Sequence, residues 1–239
     1  MDKIKFFPDN LNIKNQKVIL RLDLNVPLKD KIIMDDTRIK LCLPFIKSLI
    51  NKKAKIIIIS HLGRPKGAKD PALSLAPIYK YLKKKLHTNV YFFMGNFDDE
   101  IKEKFSHLKE GEVILIENIR YFIEETDDDE NFSKKLASLG DVYINDAFSC
   151  SHRKQSSVHK ITKFINKSFA GPLMKKEIDA INLVIKNKKK PVTCIIGGSK
   201  ISTKINVIIS LIEKIDNLII VGAMANNFFV YKNFKIGKS

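Results

Sequence analysis

The feature that most constrains this chain is a repeated alternation between short apolar runs and segments of helical periodicity. Runs such as KIIIIS at residues 55–60 show no polar alternation, which is typical of strands buried on both faces of a parallel sheet. Strands are predicted at Val18–Leu22, Lys55–Ser60, Val90–Phe93, Val113–Ile116, Val142–Asn145, Val192–Ile196 and Leu218–Val221. Helices are predicted at Thr37–Asn51, Leu75–Leu86, Asp99–Phe105, Phe132–Leu139, Lys175–Lys186 and Thr203–Ile215. This order predicts an open α/β sheet with right-handed crossovers.

A boundary between two such units is predicted near residue 172. Gly171 and Pro172 interrupt the pattern, an amphipathic helix follows, and KKKP at residues 188–191 ends it before a new strand. We therefore predict a first domain (1–172), a connecting helix and linker (173–190) and the start of a second domain (191–239). Only about two βα units remain in the last part, so we expect the second domain to be incomplete, since such domains usually need ~100 residues or more.

Composition favours a soluble protein with reduced thiols. The sequence has no run of eighteen apolar residues and no apolar secretory segment at its start. Cys42, Cys150 and Cys194 lie far apart and form no CxxC pair, so neither a disulfide framework nor a zinc site is indicated. We expect a cytoplasmic protein without a membrane partner, and we assign no metal-binding residue.

Arginine is the most informative basic residue of this chain. The net charge of +17 leaves nucleic-acid binding open, but no nucleic-acid motif is found and the lysines are spread over the predicted helices. Only five of the 43 basic residues are arginine, whose planar fork grips carboxylates and phosphates. These five are Arg21, Arg38, Arg64, Arg120 and Arg153. For Arg21, inside a predicted strand, we expect an ordinary ion pair.

Polar residues gather where the predicted strands end, which is where ligands bind in open parallel sheets. The polar segments that follow the strands begin at Asp23, Ser60, Glu117 and Asn145, and Arg38 opens the first helix. Four arginines and a histidine on one sheet edge predict a cationic crevice for a small, highly anionic metabolite. His61 has an alternative interpretation, as a hydrogen-bonded histidine of the core.

The segment IIGGSKISTK at residues 195–204 is a second candidate site. A strand leads into Gly197 and Gly198, and a helix is predicted to follow with Lys200 and Lys204 on its first turns. A helix N-terminus after glycines suits a phosphate group. A glycine turn that allows close packing explains this segment equally well.

The acidic run EETDDDE at residues 124–130 is interpreted as a solvated loop and a helix N-terminus. A calcium loop would require a ligand spacing and a glycine that this run lacks. We therefore assign no metal site to it.

Seven segments together resemble the phosphoglycerate kinase family in their order and approximate spacing. They are RLDLNVP (21–27), DDTRI (35–39), SHLGRP (60–65), ENIRY (117–121), DAFSCSHR (146–153), AGPLM (170–174) and GGSKISTK (197–204). The resemblance covers essentially the whole chain. It implies a Rossmann-like three-layer sandwich followed by a similar, truncated domain, and we expect a fragment that is inactive alone.

The resemblance also implies roles for individual residues. For 3-phosphoglycerate it implies Asp23, Asn25, Arg38, His61, Arg64, Arg120 and Arg153. For the nucleotide it implies Gly197, Gly198, Lys200, Lys204 and Gly222. Arg38 and Lys200 would be catalytic, acting on the transferring phosphoryl group. Many members have three glycines where this chain has Val221, Gly222 and Ala223, a departure that weakens the nucleotide assignment there.

The implied reaction is reversible phosphoryl transfer between 1,3-bisphosphoglycerate and ADP, giving 3-phosphoglycerate and ATP in glycolysis and gluconeogenesis. Magnesium is implied with the nucleotide, and its protein contacts are expected beyond residue 239. A full-length member is expected to be a monomer. One alternative is a non-catalytic anion-binding module that keeps only the 3-phosphoglycerate site, and another is a nucleic-acid-binding protein.

Overall fold

A computed structural model describes residues 4–65, 67–97, 100–186 and 190–237. The chain divides into two compact units, unit 1 (Met1–Glu177) and unit 2 (Ile178–Ser239). This division falls inside the helix Pro172–Lys186, whereas the sequence analysis placed the boundary after residue 172. Residues 187–189 of the predicted linker, and Asp99 at the start of a predicted helix, lie outside the described residues.

The strands and helices alternate along most of the chain. In chain order the strands are β1 (Lys17–Leu22), β2 (Leu28–Lys29), β3 (Ile32–Ile33), β4 (Lys55–Ile59), β5 (Val90–Phe93), β6 (Val113–Ile116), β7 (Val142–Asp146), β8 (Ser168–Ala170), β9 (Thr193–Gly197) and β10 (Asn217–Val221). The helices are α1 (Thr37–Asn51), α2 (Ala76–Lys85), α3 (Glu100–Ser106), α4 (Ile123–Thr126), α5 (Glu130–Ala137), α6 (Pro172–Lys186), α7 (Ile205–Ile212) and α8 (Ala223–Tyr231). No helix in the described ranges combines the length and the apolar character needed to span a membrane.

Unit 1 is built on a parallel six-stranded sheet in the order β5-β6-β4-β1-β7-β8. Successive side chains of a strand point to opposite faces, so each strand contributes to two cores. Ile56 and Ile58 pack on one face with the buried residues of α1 and α2. Ile57 and Ile59 pack on the other face with residues of α3 and α5. Helices therefore cover both faces, and the predicted three-layer α/β sandwich is confirmed.

The predicted strands are all present, with ends displaced by at most one residue. The strands that sequence analysis missed are the short β2, β3 and β8, because two or three residues are too few to show a periodicity. β8 is placed by its pairing with β7, where Ile144 lies opposite Phe169. Helix α5 begins at Glu130, two residues before the predicted start, because Asp129 caps it by accepting a hydrogen bond from the backbone N of Phe132 at 2.7 Å.

Unit 2 contains a parallel pair of strands, β9 and β10, in which Ile195 lies opposite Ile219. Helix α7 follows β9, and α8 follows β10 directly after Gly222. The helix predicted at Thr203–Ile215 is shorter than expected, because residues 201–203 form a 3-10 turn before α7 begins at Ile205.

Candidate functional site

The loops that follow four neighbouring strands of unit 1 enclose one cavity. β6, β4, β1 and β7 are adjacent and parallel, so their carboxyl ends meet at one edge of the sheet. The cavity at this edge has a volume of about 220 Å³. It is lined by Asn25, Arg38, His61, Gly63, Arg64, Arg120, Ser149, Cys150 and Arg153. The fold thus brings together all the residues predicted for the substrate except Asp23.

Asp23 lies outside the cavity lining and contacts Arg38. Its Oδ2 accepts a hydrogen bond from Nη1 of Arg38 at 2.6 Å and another from Oγ of Ser149 at 2.5 Å. Its Oδ1 accepts from the backbone N of Asn25 at 3.1 Å. The Arg38 side chain is 50% exposed while that of Asp23 is 16% exposed, so the carboxylate anchors a guanidinium that stays open to solvent.

Arg120 is the most deeply buried arginine of the lining, at 4% exposure. Its Nη1 donates to the carbonyl oxygen of Gly63 at 2.8 Å and its Nη2 to Oε1 of Gln155 at 3.4 Å, while its Nε has no hydrogen-bond partner. Burial, followed by the positive charges of Arg153 and Arg21, lowers the pKa of Arg120 to about 10. The side chain is still charged at neutral pH, and its hydrogen-bond partners are neutral.

The charge of the cavity is unbalanced. Arg38 pairs with Asp23, but within the described ranges Arg64, Arg120 and Arg153 have no carboxylate at ion-pair distance. Holding several guanidinium groups together without counter-charge is unfavourable. An anion bound in the cavity would relieve this repulsion, so the geometry suits a ligand with more than one negative charge.

His61 is buried at 4% exposure, yet it lines the cavity. Its Nδ1 lies 3.0 Å from Nη2 of Arg21. Burial, followed by the positive charges of Arg21, Arg120, Arg153 and Arg38, lowers the pKa of His61 to about 2. The imidazole is therefore neutral at physiological pH. Both interpretations of this residue apply, since it is a hydrogen-bonded buried histidine that also faces the candidate site.

The prediction of an ordinary ion pair for Arg21 is wrong. This residue is fully buried in β1, and in the part of the chain that the structure describes it forms no ion pair. Its guanidinium donates to Oγ of Ser157 at 3.0 Å and to the carbonyl oxygen of Leu22 at 2.6 Å, in addition to its contact with His61. β1 passes through the middle of the sheet, so a long side chain on it can only lie in the interior.

The interpretation of the acidic run as a solvated loop is also wrong for two of its members. Glu125 is fully buried and Asp128 is 9% exposed. Glu125 accepts two hydrogen bonds from Ser157, through the backbone N at 2.8 Å and Oγ at 2.6 Å. The helix N-terminus is present, since Asp129 caps α5. Burial of Glu125 is decided by a partner 32 residues away, which the run itself does not reveal.

Sequence analysis missed several neutral residues of the site. Gly63, Ser149 and Cys150 line the cavity, and Asn118 fastens two loops by donating to the carbonyl oxygens of Leu62 at 2.7 Å and Leu73 at 2.9 Å. All four lie inside segments that carry the family resemblance, which is the signal that could have found them.

In unit 2, the glycines predicted for the nucleotide lie together. Gly197 ends β9, and the carbonyl oxygen of Gly198 accepts from the backbone N of Met224, two residues after Gly222. Gly222 has φ +67°, and a Cβ there would lie 3.6 Å from backbone atoms of Gly198. The two loops therefore pass close to one another at the carboxyl ends of β9 and β10.

The prediction that Lys200 and Lys204 lie on the first turns of a helix is wrong. Lys200 is exposed before the 3-10 turn, and Lys204 precedes α7 with a non-helical φ of −126°. The Nζ of Lys204 donates to the carbonyl oxygen of Gly197 at 2.8 Å, which turns this side chain back to the glycine loop. A cavity of about 310 Å³ beside this loop is lined by Ser199 and residues of α8 and the segment after it, and by none of the five predicted nucleotide residues.

Comparison with known proteins gives one consistent family. A family model described as phosphoglycerate kinase matches residues 8–239. The phosphoglycerate kinase of Wolbachia pipientis wMel is 46% identical over 231 residues, which cover 97% of this chain and 58% of that protein. Solved structures of phosphoglycerate kinase from Coxiella burnetii (TM-score 0.82, 37% identity) and Pyrococcus horikoshii OT3 (TM-score 0.84, 31% identity) cover 96% and 97% of this chain.

These matches extend over both units, while the chain spans about 58% of the length of the curated relatives that it matches. The two solved structures are covered to 58% and 59% of their length. The matching family model spans nearly every residue of this chain, and the relatives are well above 30% identical. The chain therefore belongs to the phosphoglycerate kinase family.

Proposed function

We propose that the cavity of unit 1 binds 3-phosphoglycerate and 1,3-bisphosphoglycerate. The observation that carries this proposal is a cavity of about 220 Å³ lined by four arginines, three of which have no carboxylate partner in the described part of the chain. Guanidinium groups bind phosphate and carboxylate oxygens through paired hydrogen bonds. A phosphorylated three-carbon acid supplies one such group at each end.

The exposure of the arginines suggests how the substrate is oriented. Arg120 is buried and Arg38 is half exposed, so we assign Arg120, with Arg64 and Arg153, to the distal phosphate and the backbone of the substrate. Arg38 would act on the phosphoryl group in transfer, because that group must remain accessible to the nucleotide. Asp23 would hold Arg38 in place, and Asn25, whose Oδ1 accepts from the backbone N of Gly63 at 2.9 Å, would shape the cavity wall.

In unit 2 we assign the loop of Gly197, Gly198 and Gly222 to the nucleotide, with Lys200 on the transferring phosphoryl group and Lys204 on the nucleotide phosphates. Phosphoryl transfer depends on positioning and on neutralising charge rather than on covalent chemistry, which suits these residue types. Magnesium would accompany ATP or ADP. Within the described ranges no three His, Cys, Asp or Glu side chains lie together as a metal site.

The proposed activity is reversible transfer of a phosphoryl group from 1,3-bisphosphoglycerate to ADP. We place the protein in the cytoplasm as a monomer, with small-molecule partners rather than a nucleic acid or a membrane. The alternative of an anion-binding module without transfer activity is an outcome of the tests below.

Calorimetric titration of 3-phosphoglycerate into the chain tests the binding proposal. We expect saturable binding. Arg153→Ala should weaken it roughly 10- to 100-fold, because the variant loses hydrogen bonds between charged groups. Lys84→Ala removes an exposed charge from α2 and should leave the affinity unchanged. Absence of binding to the unaltered chain, or equal losses in both variants, would contradict the proposal.

Arg38→Lys tests the transfer proposal. The variant is made in a protein that contains this chain and is as long as the curated relatives. Lysine keeps the charge but loses the planar fork, so we expect turnover to fall much more than substrate binding weakens. A coupled assay measures turnover and a titration measures affinity. Unchanged turnover would refute the role of Arg38, and substrate binding without any turnover in the unaltered enzyme would favour the anion-binding module.

A further inference from the structure

Four residues that are distant in the sequence form a continuous hydrogen-bonded chain beneath the cavity of unit 1. Arg21 lies in β1, His61 after β4, Glu125 in α4 and Ser157 in the loop that precedes residues 160–163. Arg21, Glu125 and Ser157 are fully buried, and His61 is 4% exposed. The contacts run from Glu125 to Ser157, from Ser157 to Arg21 and from Arg21 to His61, with lengths of 2.6, 3.0 and 3.0 Å.

The hydrogen bond between Arg21 and His61 can have only one donor. A guanidinium has N–H donors and no acceptor, so Nη2 of Arg21 must donate to Nδ1 of His61. Nδ1 is therefore the unprotonated nitrogen, and the ring proton is on Nε2. Arg21 is held in turn by Oγ of Ser157, whose hydrogen bond to Glu125 leaves that oxygen free to accept from Nε of Arg21.

The other side of the imidazole belongs to the cavity. His61 lines it, and in the described part of the chain Nε2 of this residue makes no hydrogen bond. An N–H at this position attracts an anionic oxygen, whereas a lone pair in the same place would repel it. The charged groups with the largest effect on the ring are Arg21, Arg120, Arg153 and Arg38, and none of them can accept a proton from it.

We propose that Arg21, Ser157 and Glu125 are positioning residues that hold His61 in the Nε2–H tautomer, so that its ring donates a hydrogen bond to the anion in the cavity. This inference rests on the proposed function of the same site. It assigns a role to Arg21 and Glu125 that neither exposure nor direct contact with the ligand would reveal. The role of His61 also differs from that of the arginines. Its ring is a neutral hydrogen-bond donor, and its protonation state does not change near neutral pH.

The imidazole ¹⁵N chemical shifts of the ligand-free chain test the inference, with the His61 signals identified by their loss in His61→Gln. We expect Nδ1 of His61 to be unprotonated and Nε2 protonated from pH 5 to pH 8. Ser157→Ala removes the anchor of Arg21, so His61 should populate both tautomers and the affinity for 3-phosphoglycerate should fall about threefold to tenfold, the loss of one hydrogen bond.

Ser156→Ala is the matched control. Ser156 is equally buried and precedes Ser157, but its hydroxyl donates to the carbonyl oxygen of Glu124 at 2.7 Å and does not contact Arg21. This variant should keep the Nε2–H tautomer. An Nδ1–H tautomer in the unaltered chain would overturn the inference, as would equal tautomer changes in the two serine variants.

The two measurements separate this inference from the proposed function. Absence of 3-phosphoglycerate binding with an intact Nε2–H tautomer would reject the proposed ligand and would also leave His61 without the donor role proposed for it. Mixed tautomers in Ser157→Ala with unchanged binding would support the positioning of the ring but reject the hydrogen bond from His61 to the anion. If neither serine variant folds, the tautomer of the unaltered chain still decides whether Arg21 sets the ring.

Discussion

In unit 1 the strand β4 is buried on both faces, whereas in unit 2 the strand β9 leaves Ile195 65% exposed and its partner β10 leaves Ile219 46% exposed. Both regions start from the same kind of sequence, an uninterrupted apolar run followed by a polar loop and a helix. Six strands with helices on both faces enclose the apolar runs of unit 1. Among the described residues of unit 2 the sheet has two strands, and each is an edge strand there.

The comparison shows that an apolar run predicts a strand but does not by itself predict burial. Burial requires neighbouring strands and helices that cover both faces of the sheet. The candidate sites differ in the same way. Arg120 of unit 1 is buried and donates to Gly63 and Gln155, while Lys200 of unit 2 is exposed. The buried arginine belongs to the unit whose sheet is covered on both faces.

The largest expected effect contrasts isoleucines of the two sheets. Ile58→Ala removes a fully buried side chain of β4 and should lower the free energy of unfolding of unit 1 by about 2–5 kcal/mol, through lost burial and a new cavity. Ile195→Ala, at a 65% exposed position, should cost about 1 kcal/mol or less. Urea unfolding followed by circular dichroism, with hydrogen exchange resolved by segment, measures both. Equal losses would break the comparison.

The second prediction concerns the affinity of unit 1 for its anion, which should not depend on the lysines of unit 2. Arg64→Ala should weaken 3-phosphoglycerate binding roughly 10- to 100-fold, because it removes a charged donor from the cavity. Lys200→Ala should not change this affinity. Calorimetry measures both variants, and a large loss in Lys200→Ala would show that the substrate site is not confined to unit 1.

The third effect is a pH dependence that arises from the buried His61. Its pKa is lowered from 6.5 to about 2 by burial and by Arg21, so below pH 6.5 the unfolded chain binds a proton that the folded chain does not. The free energy of unfolding should therefore decrease as the pH is lowered, by about 1.4 kcal/mol from pH 7.5 to pH 5.5. This stabilisation is complete above pH 6.5 and is lost as the pH falls toward 2.

His61→Gln is the reference for this measurement, because glutamine can still accept from Arg21 and does not titrate. Burial raises the pKa of Glu125 and of Asp146, and these carboxyls favour the folded state as the pH falls. The difference between the unaltered chain and His61→Gln removes their contribution. Parallel pH profiles of the two proteins, from urea unfolding, would mean that His61 protonates freely in the folded state.

The smallest effect concerns the glycine loop of unit 2. Gly222 has φ +67°, but a Cβ would lie at ordinary contact distance, 3.6 Å, from Gly198. Gly222→Ala should therefore cost only the backbone strain, about 1 kcal/mol. Gly222→Asn should cost about as much, because φ +67° with ψ −161° lies outside the left-handed helical region that asparagine tolerates. Segment-resolved hydrogen exchange of β9 and β10 measures both, and a loss as large as that of Ile58→Ala would show that unit 2 is packed as tightly as unit 1.

The sequence by itself determined the strand–helix order, the parallel sheet and the loops that carry the site. Strand ends could be predicted to within one residue because buried parallel strands are continuous apolar runs. The arginines of the cavity could be predicted because they are rare in a lysine-rich chain and follow strands whose carboxyl ends meet. The family resemblance added the neutral segments around them.

Only the tertiary structure decided which charges are buried and what they contact. Nothing local distinguishes Glu125 from the other acids of its run, or Arg21 from an ordinary strand residue, because their common partner Ser157 lies 32 and 136 residues away. Burial and hydrogen-bond partnership are properties of pairs of distant residues, and only folding brings those pairs together.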